Sequence, residues 1–283
     1  LIFIISCGTA AASSPDKMSP EEVIAKHLAS IGSAEALAAA KTRIAVGNAK
    51  AISHSKAMRD ITGVAQLASD GNKVLIAMIF NLLEYPYEKA GYDGQKMTVA
   101  LLERTGARTA LGDFLISQDA VFKQGLIGGV LSSAWPLYDV ASKKPKLTYS
   151  GKEKINGRDV HKLKYSAKGA GDFQINLFFD AETFQHVRTE YQYVIPARMG
   201  ARPGGAVQGP TTDTGSQTLT RYKLVEEFSD FKAESSLTLP HTYTLRLTID
   251  TQPAVLLEWV MNFSQFVFNQ PIDATAFNVA ASK

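Results

Sequence analysis

The sequence predicts an α+β protein: a strongly curved antiparallel sheet of about ten strands, an incomplete β-barrel, with helices covering its concave face. Three observations predict it. Short segments of alternating apolar and polar residues recur along most of the chain, hairpin-type turn residues separate them, and helical periodicity is confined to two places. With 283 residues, 45% of them hydrophobic and 20% charged, the chain can bury a large core without disulfides.

Ser19-Pro20-Glu21-Glu22 starts the first helix: Ser19 caps it, Pro20 suits the first helical position, and Glu22 stands where a capping box needs an acid. Val23, Ile24, His27, Leu28 and Ile31 then share one face. Gly32 ends this helix, and Ser33 begins an Ala-rich turn or two reaching Ala40. From Thr42 the period becomes two, with strands near 42–54, 59–69, 73–81 and 95–101 divided by Asp70-Gly71-Asn72 and Asp93-Gly94. A second helical region follows a Ser117 cap, with Val121, Phe122, Leu126, Ile127, Val130 and Leu131 on a broad apolar face. Gly125, Gly128 and Gly129 weaken it, each by up to about 1 kcal/mol relative to Ala.

Strands resume near 146–150 and 159–166 around the Asn156-Gly157 turn. Phe173, Ile175, Leu177 and Phe179 alternate with Gln174 and Asn176; beyond the turn Asp180-Ala181-Glu182-Thr183, Val187, Thr189, Tyr191 and Tyr193 alternate with Arg188, Glu190 and Gln192. The Pro- and Gly-rich stretch 196–217 reads as a long excursion inside a hairpin. Strands near 218–231, 238–250 and 254–268 complete the pattern. No repeat or block of like charge divides it, so residues 19–283 form one domain behind a leader at 1–18.

The net charge of +3 is small and its cations are scattered among acids, which argues against a nucleic-acid partner. One cysteine excludes an internal disulfide and a Cys-based zinc site. His27, His54, His161, His186 and His241 lie on separate elements with no metal-ligand spacing, and neither a phosphate-binding glycine loop nor a nucleophile elbow occurs. Asp180 and Glu182 read as turn residues rather than an acid–base pair. No catalytic residue, cofactor or metal is therefore expected, and the chain does not read as an enzyme.

Leu1 to Gly8 is an apolar run followed by small residues, the pattern of the end of a secretory signal peptide. Ile4-Ile5-Ser6-Cys7 also fits a bacterial lipoprotein signal, with lipid attached to Cys7; cleavage after Ala10-Ala11-Ala12, an A-x-A pattern, is the competing reading. Either places the protein in the periplasm, and the first would tether it to the membrane through that anchor alone.

What remains is an excess of large apolar residues on one face of a long sheet: Phe173, Ile175, Leu177, Tyr191, Tyr193, Tyr243, Leu245, Leu247, Trp259 and Phe263, joined from the helical region by Phe122 and Trp135. They either fill a solid core under the helices or line a cavity for a lipid chain. Periodicity leaves both open.

Met18-Ser19-Pro20-Glu21-Glu22-Val23, Ile31-Gly32-Ser33-Ala34-Glu35-Ala36-Leu37, the Gly151-to-Arg158 hairpin and the Phe178-to-Thr183 turn resemble LolA-like and LolB-like proteins, the bacterial outer-membrane lipoprotein-sorting superfamily. Phe228-Ser229-Asp230-Phe231 and Leu239-Pro240-His241-Thr242-Tyr243 are similar to their late strands. The resemblance covers most of 18–280. It implies a non-enzymatic protein whose helix-covered, incomplete barrel binds lipid or the acyl chains of lipoproteins, in lipoprotein sorting or lipid transport. The alternative is an envelope interaction or sensor module, RseB-like, with a filled core and a protein partner. The 196–217 excursion, the Gly-rich helix and an anchor at Cys7 depart from the freely shuttling carriers.

Overall fold

In the computed structural model the described residues are 18–54, 60–166, 173–195, 219–251 and 253–280. The expected leader, the lipid-attachment residue Cys7 and the 196–217 excursion lie outside them.

Helix α1 (Pro20–Ile31) forms where the sequence places it, with the capping box complete: Ser19 Oγ accepts from Glu22 N and Glu22 accepts from Ser19 N at 2.7 Å. Val23, Ile24, His27 and Ile31 are its buried face. Ser33 caps the short α2 (Ala34–Ala39).

Among the described residues twelve antiparallel strands, where about ten were expected, form one open sheet: β1 (Thr42–Ser53), β2 (Ile61–Asp70), β3 (Lys73–Phe80), β4 (Tyr87–Tyr92), β5 (Met97–Val99), β6 (Lys146–Ile155), β7 (Arg158–Ser166), β8 (Gln174–Asp180), β9 (His186–Ile195), β10 (Thr220–Glu234), β11 (Leu237–Asp250) and β12 (Val255–Phe268). Their order is β5-β4-β3-β2-β1-β12-β11-β10-β9-β8-β7-β6. Two meanders, β1–β5 and β6–β12, are thus joined side by side where β1 pairs with β12. The sheet is not closed: β5 and β6 are its two rims. An incomplete barrel with few helices is the observed class.

Strand β4 was not visible in the periodicity because its segment Tyr-Glu-Lys-Ala-Gly-Tyr carries Glu88, which is buried at 6% exposure where alternation calls for an apolar residue. The expected 95–101 strand shrinks to the three residues of β5.

The helix expected after Ser117 is instead broken. Ser117 ends α3 (Ala110–Ser117), capped by Thr109, and its hydroxyl donates back to Phe114 O. Only α4 (Ala120–Lys123) and a 3-10 turn at Gly129–Leu131 follow, before a 3-10 turn at Pro136–Asp139 and α5 (Val140–Lys143). Gly125 explains the break: its φ is +71°, and a Cβ there would stand 2.1 Å from Ala134 O. The segment folds back on itself, so that every apolar residue of the expected helical face, from Val121 to Leu131, is buried against the sheet.

One large core lies between the inner face of the sheet and this broken helical cover. A smaller one lies on the outer face, where Phe277 and Val279 cover Ala68, Leu75 and Ala77.

Candidate functional site

The strand registers assemble the inner face into rows. Leu163, Leu177, Thr189, Glu226, Leu245, Trp259 and Ala51 are successive cross-strand partners, and Tyr165, Ile175, Tyr191, Leu224, Leu247 and Leu257 form the next row. Of the residues singled out from the sequence, Phe122, Trp135, Phe173, Ile175, Leu177, Tyr191, Tyr243, Leu245, Leu247, Trp259 and Phe263 meet in a single core, each at most 6% exposed. Tyr193 packs against that core but is half-buried, and it lines a hollow of about 290 Å³ with Phe114, Ile116, Ile195 and Tyr222. The face that could have lined a cavity is covered directly by the chain's own segment from Leu111 to Leu137.

That cover is fastened by polar contacts the periodicity did not reveal. In the middle of the first row Glu226 is fully buried, and its carboxylate accepts from the hydroxyls of Tyr191 and Tyr243 and, at 2.8 Å, from the backbone N–H of Gly128. Gly128 adopts φ +75°, the left-handed conformation that aims its N–H inward. Burial pushes the Glu226 carboxyl up to about 7 against the opposing pull of these three donors. Glu88 repeats the device at the other end: it accepts from Tyr85 OH at 2.5 Å and from Thr109, the cap of α3, at 2.6 Å, and burial raises it also to about 7. Tyr85 in turn accepts from the indole of Trp259 at 2.8 Å.

Arg43, 3% exposed, donates to Val130 O and Tyr138 OH, each at 2.8 Å. Its guanidinium also lies 4.7 Å from the centre of the Tyr138 ring. Trp135 stacks on His186 at 4.7 Å and donates its indole N–H to His27 Nε2. Because His27 Nε2 accepts, Nδ1 carries the proton and donates to Phe184 O at 3.0 Å. Burial lowers His27 to about 4 and holds His186 well below its usual value, so both rings are neutral.

A larger open space lies on the other side of α1. A groove of about 770 Å³ runs between the helices and the sheet end, walled by Ala25, Leu28, Ala29 and Gly32 of α1 and by Ala34, Leu37 and Ala38 of α2. Lys41, Arg43, Tyr138, Ser133, Asp70 and Gly71 close its far side and supply its polar groups. A signal for it existed: positions 25, 28, 29 and 32 are spaced as a second apolar stripe of α1, beside the stripe at 23, 24, 27 and 31 that enters the core. Three of the four are Ala or Gly, too small to stand out in a reading that weighs large residues.

Asp180 and Glu182 belong to a turn, as their spacing suggested: Asp180 Oδ1 accepts from the backbone N–H groups of Glu182 and Thr183. Among the described residues no group of three His, Cys, Asp or Glu side chains is placed to hold a metal ion, and no helix is long and apolar enough to cross a membrane.

Solved structures with a similar chain course exist. One is a LolA superfamily protein from Nitrosomonas europaea, 10% identical, over 92% of this chain and 98% of that one, with a TM-score of 0.47. Another is a putative outer membrane lipoprotein-sorting protein domain from Vibrio parahaemolyticus, 13% identical, over 91% and 95%, with a TM-score of 0.44. A DUF1329 family protein from Desulfovibrio piger is 10% identical over 91% and 96%, with a TM-score of 0.41. The fold resembles that of LolA-like proteins. At such identities and scores the likeness is one of chain course and says nothing of ligand. No protein-family model and no curated protein sequence matches the chain.

Proposed function

We propose that this is a non-enzymatic binding protein of the bacterial envelope that takes up the acyl chain of a lipid or lipoprotein. The observation that supports this best is the groove beside α1 and α2: its volume of about 770 Å³ is that of a small-molecule site, and its walls on α1 and α2 are aliphatic. Each methylene moved against those walls gains about 0.8 kcal/mol. Lys41, on the far side, supplies a cation for the polar end. Phe122, Trp135, Phe173, Ile175, Leu177, Tyr191, Tyr243, Leu245, Leu247, Trp259 and Phe263 are reached only by a chain that displaces the segment around Gly125–Trp135, and in this reading they form a deeper part of the same site; half-buried Tyr193 opens on its own hollow.

A competition assay with a fluorescent fatty acid tests the proposal. Ala29→Phe, an exposed change on α1 that fills the groove, is expected to weaken binding at least about tenfold while leaving the thermal midpoint within a few degrees. Equal affinity in the variant would remove the groove from the site, and no displacement by any acyl compound would remove the function.

The dense packing of the inner face favours a second reading, an interaction module with a filled core that binds a protein partner. Crosslinking to one defined envelope protein, together with failure of every acyl probe, is the result that distinguishes it.

A further inference from the structure

The stretch that folds into β6 and β7 concentrates positive charge. Between Lys143 and Ser166 stand eight Lys or Arg residues against two carboxylates, Glu153 and Asp159, whereas the whole chain carries only +3. Both carboxylates are already engaged, Glu153 by Lys162 at 2.7 Å and Asp159 by Lys154 at 3.2 Å. Lys144, Lys146, Lys152 and Lys164 are exposed and have no carboxylate partner among the described residues. Lys26 of α1 joins them: its ammonium lies 4.8 Å from the centre of the Phe184 ring, Phe184 stacks on His161 at 5.1 Å, and His161 is the cross-strand partner of Lys152. His161 registers both cations: burial lowers its pKa first, and Lys152 and Lys26 lower it further.

β6 ends the sheet, and among the described residues no strand lies along its outer edge. An open edge ordinarily invites an added strand. Here the ladder shifts register between Tyr149 and Lys152, with Gly151 at φ +96°, and the bulge interrupts the edge in its middle. The lysines repel a second copy of themselves. The register sets Lys146 and Lys164 on the outer face of the edge and Lys152, with Lys26, on the inner face beside His161, so separate, flexible ammonium groups flank the edge on both sides and suit a broad surface of negative charge met edge-on.

We propose that the β6 edge, with Lys26, is where the protein docks on an anionic lipid bilayer. Lys26 is flanked along α1 by Ala25 and Ala29, two walls of the groove, so a bilayer on this edge lies beside the groove. In its use, though not in its charge, the surface rests on the acyl-binding reading.

Co-sedimentation with vesicles tests it. The full chain with Cys7→Ser, so that no lipid anchor contributes, is expected to sediment with vesicles of equal parts phosphatidylglycerol and phosphatidylcholine, to do so less as salt is raised, and to ignore phosphatidylcholine alone. The combined change Lys146→Glu, Lys152→Glu and Lys164→Glu is expected to weaken this binding by about a hundredfold or more. The same reversal at Lys50, Lys89 and Lys96, on the other meander, should cost no more than about threefold. Binding lost equally in both variants would reduce the effect to net charge and overturn the proposal, as would retention in the first variant or no sedimentation of the chain without either change. Capture of soluble polyglutamate without vesicle binding would assign the edge to an acidic protein instead. The fluorescent fatty acid is measured on the same variants: unchanged acyl affinity in the first shows that it is folded, and absence of acyl binding throughout counts against the groove while leaving the vesicle result standing.

Discussion

Glu226 has two tyrosine hydroxyls and a backbone N–H for company and no ion-pair partner among the described residues. Burial raises it and Glu88 from an ordinary 4.5 to about 7. Between those values the folded protein keeps both protonated while the unfolded chain ionises them, so each lowers stability as pH rises from 4.5 toward 7. His27 and His186 act in the opposite sense. They are neutral in the fold but protonated in the unfolded chain below 6.5, so each adds stability as pH rises toward 6.5. Two falling contributions meet two rising ones, and His161, whose value is also lowered in the fold, adds a third rising one, so stability is expected to rise with pH between about 4.5 and 6.5. Glu226→Gln removes one falling contribution, so the variant's unfolding free energy should climb more steeply than that of the unaltered protein, by about 1.4 kcal/mol per pH unit, across that window. Urea denaturation of both proteins at about pH 5 and about pH 6 measures the slopes, and an unchanged slope would mean that Glu226 is ionised in the fold.

At the scale of elements, what the sequence made legible was what local chemistry decides alone. Ser19, Pro20 and Glu22 specify the start of α1 whatever lies beside it, and Asp180 specifies its turn. Ser19→Ala loses the cap and half of the reciprocal pair, and the expected cost is about 1 kcal/mol in denaturant melts. A loss near zero would mean that packing of Val23, Ile24, His27 and Ile31 holds the helix start without it. Tertiary decisions were not legible. The apolar face from Val121 to Leu131 has helical spacing, yet Gly125 lets the chain turn back so that both sides of the segment reach the sheet. β4 was hidden for a related reason: Glu88 faces inward because Thr109, distant in sequence, joins the nearby Tyr85 in bonding it.

For the whole molecule, the large residues proposed from alternation do converge, because a period of two places them on one face of every strand. Whether that face is open depends on how 111–137 settles over it, which alternation does not encode. The groove arises where the second stripe of α1 meets the β2–β3 turn, and the basic edge arises only when β6 and β7 pair. Attachment belongs at this scale too. If Cys7 carries a lipid, Cys7→Ser should move the protein from the membrane fraction to the soluble one at high salt, where the lysines of β6 no longer hold it. Membrane association that persists in the variant but is released by salt would place the attachment on the lysines of β6.

The strand order also gives the molecule a mechanical character. β5 and β6 are the opposite rims of the sheet, and the single stretch of chain that joins them, from Ala100 to Pro145, is the same stretch that lies across the inner face. The sheet is a bow and the cover is its string, pinned to the bow at Glu88, Glu226 and Arg43. Force that spreads the rims is therefore carried by the cover, and a cover that lifts lets the rims relax, so the width of the mouth and the occupancy of the inner face cannot change independently.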